Sequence, residues 1–114
     1  MNHDEDKIVR PAVIDYLRDK GHWVVPHETK ARLRSAGGKI FHEKDEKGYF
    51  RTPGESDLLV FHKDNPAFPI WIELKKPGKH KIDPKQGVFK KRAECMGHEY
   101  YVVNCVQDCI DIGF

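Results

Sequence analysis

What this chain of 114 residues lacks already narrows its class. No run of consecutive apolar residues approaches the roughly 20 needed to cross a bilayer, so a spanning helix is not expected. Cysteine is scarce: Cys95, Cys105 and Cys109 make an odd set that fits neither a CxxC pair nor a disulfide framework. That argues for a reduced, cytoplasmic protein, with the three thiols packing as small apolar groups. The seven histidines are scattered, with no HExxH and no His/Cys alternation at ligand spacing, so a zinc site is not expected. The opening Met-Asn-His-Asp-Glu-Asp is acidic, without the basic start and apolar centre of a signal peptide. Repeats, Ser/Gly linkers and low-complexity tracts are missing too, and residues 1–114 read as one domain. Six Phe, four Tyr and two Trp are enough for a modest core, which excludes wholesale disorder.

Net charge is only +2, from 20 basic and 18 acidic residues. The sum hides a segregation. Residues 75–92 hold eight basic side chains against the single acid Asp83, and residues 30–51 hold seven against three, leaving the rest of the chain strongly acidic. Such a pattern suits a surface facing a polyanion. A solvated lysine-rich face would produce the same count, so charge alone does not choose.

Apolar periodicity and punctuation outline the elements. Ile8, Val9, Ala12, Val13, Tyr16 and Leu17 recur at helical spacing until Gly21. Pro11 fits best in the first turn, which would leave residues 4–6 as an extended arm; a helix that begins earlier must bend there. Residues 22–25 form a short strand candidate. Residues 39–42 and 49–51 flank Asp45-Glu-Lys-Gly48 as a hairpin, in which Tyr49 and Phe50 pack across strands. Residues 57–61 and 70–75 read as strands separated by a Pro/Asn/Asp loop. Asp83 is an N-cap, Pro84 takes the first helical position, and the helix runs to Met96 before Gly97. On it Lys85 and Arg92 share one face, with Phe89 and Met96 pointing inward on the opposite stripe. Residues 99–103 form a further strand, and the last ten residues form a short helix or strand. The predicted architecture is α/β, in the order α, β, hairpin, β, β, α, β around a mixed sheet.

Chemistry concentrates on the strand 70–75. Alternation puts Ile70, Ile72 and Leu74 on one face and Trp71, Glu73 and Lys75 on the other. An acid beside Trp71, Ile72 and Leu74 is half buried and needs a reason. If strand 57–61 pairs with it, Asp57 and Glu73 come close enough to share a hard cation. Two carboxylates and a backbone carbonyl are the oxygen donors Mg²⁺ prefers, with room left for water and phosphate. Such a cation polarises a phosphoryl oxygen and acidifies water, while Lys75 orients that water or offsets developing charge.

Gly54-Glu-Ser-Asp57, followed by Glu73-Leu-Lys75, resembles the signature of the PD-(D/E)XK nuclease superfamily. More closely, the chain is similar to its virus-type replication–repair branch, the VRR-NUC domain. The likeness extends to Asp15-Tyr-Leu-Arg18, Lys75-Lys-Pro-Gly78, Pro84-Lys-Gln86 and the strand 99–103, and so covers roughly residues 5–110. An ExK alone recurs by chance; the ordered set of motifs does not. Ser56 stands where the superfamily name has proline.

The resemblance implies a restriction-endonuclease-like αβββαβ core with a mixed central sheet flanked by helices and an inserted basic hairpin. It implies a Mg²⁺- or Mn²⁺-dependent DNA endonuclease, acting on branched or junction DNA in phage or bacterial replication and repair, as a homodimer. Asp57 and Glu73 would be metal ligands, Leu74 would add its carbonyl, and Lys75 and Gln86 would be catalytic. A first-helix acid, Glu5 or Asp6 with Glu5 favoured by its spacing to Ile8, would join them. Lys76, Lys79, Lys81 and Lys85 would follow the DNA backbone. The rival readings are a restriction-type or RNA-cleaving nuclease, and a non-catalytic nucleic-acid-binding module on the same fold.

Overall fold

The first helix forms because Val9, Val13 and Leu17 fall four residues apart and are all buried, a stripe that only a helix can turn to one side. In the computed structural model, which describes residues 5–27 and 54–114, this helix, α1, spans Arg10–Asp19. A π-helical turn, Glu5–Val9, precedes it. The helical region therefore starts at Glu5, the earlier of the two expected beginnings, rather than after an extended arm. Pro11 has no amide hydrogen to give the preceding turn and crowds its carbonyls, and a widened turn accommodates it. Ile8 and Ala12 are exposed, so the buried stripe is narrower than the apolar pattern implied. The expected hairpin, with Tyr49 and Phe50, and the basic stretch 30–38 lie outside the described residues.

Among the described residues four strands follow: β1 (Trp23–Pro26), β2 (Leu58–His62), β3 (Asn65–Leu74) and β4 (Glu99–Val103), adjacent in that order in one sheet. β1–β2 and β2–β3 pair antiparallel, and β3–β4 pair parallel. The sheet is thus mixed, as expected. The predicted loop before residue 70 is instead a tight turn at Lys63 and Asp64, because β3 begins at Asn65. Its exposed start carries Pro66 and Pro69, and the ladder shifts register between Val60 and His62. A bulge at that end tolerates residues that cannot donate a ladder hydrogen bond.

Helix α2 (Pro84–Cys95) connects β3 to β4, and a short helix, α3 (Val106–Asp111), closes the described chain. α1 and α3 cover one face, where Leu58, Val60, Ile70, Ile72, Leu74 and Val103 meet Val13, Leu17 and Cys109. α2 covers the other, where Phe89 and Ala93 meet Tyr100, Trp71 and Val102. Full burial of a Leu or Ile side chain contributes about 1.5–3 kcal/mol, so the first cluster dominates stability. Met96 is exposed rather than inward, because it caps α2 and Ala93, four residues after Phe89, takes the buried position. Of the thiols only Cys109 packs inside; Cys95 and Cys105 are exposed. Among the described residues no helix is long and apolar enough to cross a membrane.

Candidate active site

The site forms where the C-terminal end of β3 meets the start of α2. One step beyond the Leu58–Ile72 pair, the antiparallel register brings Asp57 across from Glu73. Asp57 Oδ2 accepts a hydrogen bond from the Leu74 amide at 2.8 Å, which clamps this carboxylate to the end of β3. Glu73 is buried at 3% exposure, on the sheet face that α2 covers, whereas Leu74 points into the opposite core. The strand alternation read from the sequence is thus the observed one. Past β3, the Lys75 amide donates to Val103 O at 3.0 Å and keeps the chain beside β4.

Lys75 Nζ donates to Gln86 Oε1 at 2.9 Å. The same oxygen accepts from the Asp83 amide at 2.9 Å, while the Gln86 amide donates to Asp83 Oδ1 at 2.9 Å. Gln86 therefore does both things its position allows: it closes a capping box at the start of α2 and aims the lysine. Gly54 makes this junction possible. Its φ is +74°, and a Cβ there would sit 2.2 Å from Lys85 O, so the Gly54–Asp57 segment can lie against the first turn of α2 only as glycine.

Several neighbours were not legible from the residue pattern. Arg10 donates from Nη2 to His27 O at 2.5 Å and places Nη1 4.0 Å from Asp57 Oδ1, a partly buried positive charge beside the acidic pair. His27 donates from Nδ1 to Ser56 O at 2.6 Å, and its amide donates to Asp57 O at 2.9 Å. Its Nε2 lies 3.2 Å from Glu55 Oε1. Ser56 is buried and bonds Leu58 O through its hydroxyl at 3.2 Å, so its side chain serves the local turn. Tyr100, buried beneath α2, has no hydrogen-bond partner for its hydroxyl among the described residues. Burial first, then the negative charges of Glu73, Asp57 and Asp83, push its pKa well above the ordinary tyrosine value. The parallel pairing of Tyr100 with Trp71 and of Val102 with Glu73 puts Tyr100 on the sheet face of Glu73.

Among the described residues no three His, Cys, Asp or Glu side chains form a ready cage for a metal. The donor set still fits Mg²⁺, which is held by one or two carboxylates with water and substrate phosphates completing its shell. Asp57, Glu73 and the Leu74 carbonyl would hold it. The side chains of Glu5 and Asp6 lie outside the described residues.

Lys75 and Lys81 line an open groove of about 690 Å³ together with Ile82, Asp83, Pro84 and Gly87. Lys79, Lys81 and Lys85 are exposed and Lys76 is partly so. A more enclosed cavity of about 220 Å³ lies between His62, Phe68, Tyr101 and Phe114, at the other end of the sheet. Asp64 and Glu99 also line it, but no lysine does, so the Asp57–Glu73–Lys75 arrangement rather than enclosure locates the candidate site. No protein-family model, no curated protein and no solved structure matches the chain.

Proposed function

We propose that this protein is a Mg²⁺- or Mn²⁺-dependent DNA endonuclease of the type its motifs resemble, hydrolysing phosphodiester bonds in branched DNA. The observation that carries this reading is the 2.8 Å bond from the Leu74 amide to Asp57 Oδ2. It brings an acid from just before β2 to the end of β3, where Glu73 and Lys75 stand, so the residues named by the motif resemblance meet in one place.

When bound, the divalent cation supplies polarisation of the phosphoryl oxygen and a more acidic water. Asp57 and Glu73 offer it the hard oxygens it needs. Lys75 has three donors, one of which Gln86 accepts; the other two serve the attacking water or the phosphoryl oxygen that gains charge. Gln86 sets the direction of the ammonium, since its own side chain is fixed by the helix cap. Lys76, Lys79, Lys81 and Lys85 bring the phosphate backbone to the groove without reading bases. The homodimer and the preference for junctions come from the resemblance.

The decisive experiment is a cleavage assay on branched, duplex and single-stranded DNA and on RNA, with Mg²⁺, Mn²⁺, Ca²⁺ or chelator. We expect cutting with Mg²⁺ or Mn²⁺ only, lost in Asp57→Ala and Glu73→Ala although both variants still fold and bind DNA. Removing a carboxylate strips the cation but also relieves repulsion with phosphate. Chelator-resistant cutting, or cutting by the Asp57→Ala variant, overturns the proposal. Salt-dependent DNA binding without cleavage in any metal assigns the chain to a non-catalytic binding module instead.

A further inference from the structure

Tyr100 is 6% exposed, in a cluster with Phe89 and Ala93 of α2 and with Trp71 packed against it. Those partners account for its ring, and Phe would pack there as well. They do not account for its hydroxyl, which is buried with no hydrogen-bond partner among the described residues. Leaving a polar group so placed is costly, and natural structures rarely do so without a reason.

The register supplies one. Tyr100 pairs with Trp71 in the parallel ladder, and Val102 pairs with Glu73. Glu73 therefore lies on the same sheet face of the neighbouring strand, two residues further along, a diagonal separation of about 7–8 Å. A tyrosine leaning along its strand reaches that far. Glu73 is also the largest source of negative charge acting on the hydroxyl, ahead of Asp57 and Asp83.

We propose that Tyr100 is a positioning residue for the metal site: its hydroxyl donates to the Glu73 carboxylate when the cation is held, and so sets affinity for that cation. The inference rests on the metal-dependent reading above. Carboxylates that ligate metals are commonly oriented by such a hydrogen bond, and its loss costs about 10- to 100-fold in metal affinity or activity.

The test is Mn²⁺ titration, followed by paramagnetic resonance of the free ion, on the wild-type chain, Glu73→Gln and Tyr100→Phe, with melting curves in chelator. We expect wild-type binding that is lost in Glu73→Gln and weakened about 10- to 100-fold in Tyr100→Phe. The melting temperature of Tyr100→Phe without metal should equal or exceed that of the wild type, because the ring stays and an unsatisfied hydroxyl goes. Wild-type affinity in Tyr100→Phe, with binding lost in Glu73→Gln, overturns this inference and leaves the metal-dependent reading standing. Weaker binding accompanied by a melting temperature several degrees lower also overturns it, since the hydroxyl is then structural. Absence of Mn²⁺ binding by the wild type overturns both.

Discussion

Lys75 Nζ meets Gln86 Oε1 at 2.9 Å, and this hydrogen bond joins the end of β3 to the first turn of α2. A lysine with a fixed partner has given up part of its rotamer freedom before substrate arrives, which suits a group that must meet charge developing at one place. Lys75→Met keeps the stem and removes the charge. Its single-turnover cleavage rate is expected to fall roughly a hundred- to thousandfold, about 2.7–4 kcal/mol of barrier, while DNA affinity changes little. Rapid-quench kinetics at saturating protein measures this directly. Glu73 and Lys75 could be picked out from the sequence because an acid amid apolar strand residues is conspicuous. Arg10 could not, because nothing within helix α1 marks one basic residue as the neighbour of Asp57.

At the scale of elements, the start of α2 organises the site. Asp83 accepts from the Gln86 amide, and the Gln86 side chain accepts from the Asp83 amide, each at 2.9 Å. Asp83→Ala should lower stability by about 0.5–2 kcal/mol through loss of the cap. It should also slow cleavage, because Gln86 is then free to swing from Lys75; urea denaturation and a cleavage rate report the two effects separately. The lysine turn before α2 is held as well. Asn104, buried at the end of β4, donates from Nδ2 to Lys79 O at 3.0 Å and from its amide to Asp108 Oδ2 at 2.9 Å. A turn fixed in this way can present Lys79 and Lys81 to a regular phosphate backbone. Replacing both with Ala should weaken branched and linear DNA alike. The slope of log affinity against log salt should flatten by nearly one unit for each phosphate that is no longer neutralised. Fluorescence anisotropy across a salt series measures that slope.

Across the whole molecule, a second polar cluster ties the described ends together. Buried His22 accepts from the Lys63 amide at Nδ1, at 3.1 Å, and its ring lies 4.3 Å from that of His62 and 5.1 Å from Phe114. Tyr16 donates to Phe114 O at 2.8 Å. Burial lowers the pKa of His22 from its ordinary 6.5, with the charges of His62 and Lys63 adding to it and Asp64 opposing. The folded state therefore favours neutral His22, and the unfolded chain takes up a proton first as pH falls. Stability is fully present above about pH 6.5 and declines below it, by up to about 1.4 kcal/mol per pH unit for one proton. Urea midpoints from pH 8 to 5 should show the decline, and His22→Gln should flatten it.

Residue pattern alone determined what local physics controls: the α1 stripe, the β3 alternation, the Asp83–Pro84 helix start, the 99–103 strand and, among the described residues, the order of helix and strands. Each depends on side chains within a few positions of one another, where spacing is geometry. Tertiary structure alone decided the length of β3 through Pro66 and Pro69, since a proline's tolerance depends on which edge it faces. It alone decided that Ala93 rather than Met96 is buried, because Met96 caps α2 and Ala93, one turn after Phe89, takes the inward position. And it alone brought Arg10 to Asp57, Gly54 to Gln86, and Tyr100 to the sheet face that carries Glu73. Those pairs lie far apart in the chain, and only strand register and helix docking, which sum weak contacts over the whole core, bring them within reach.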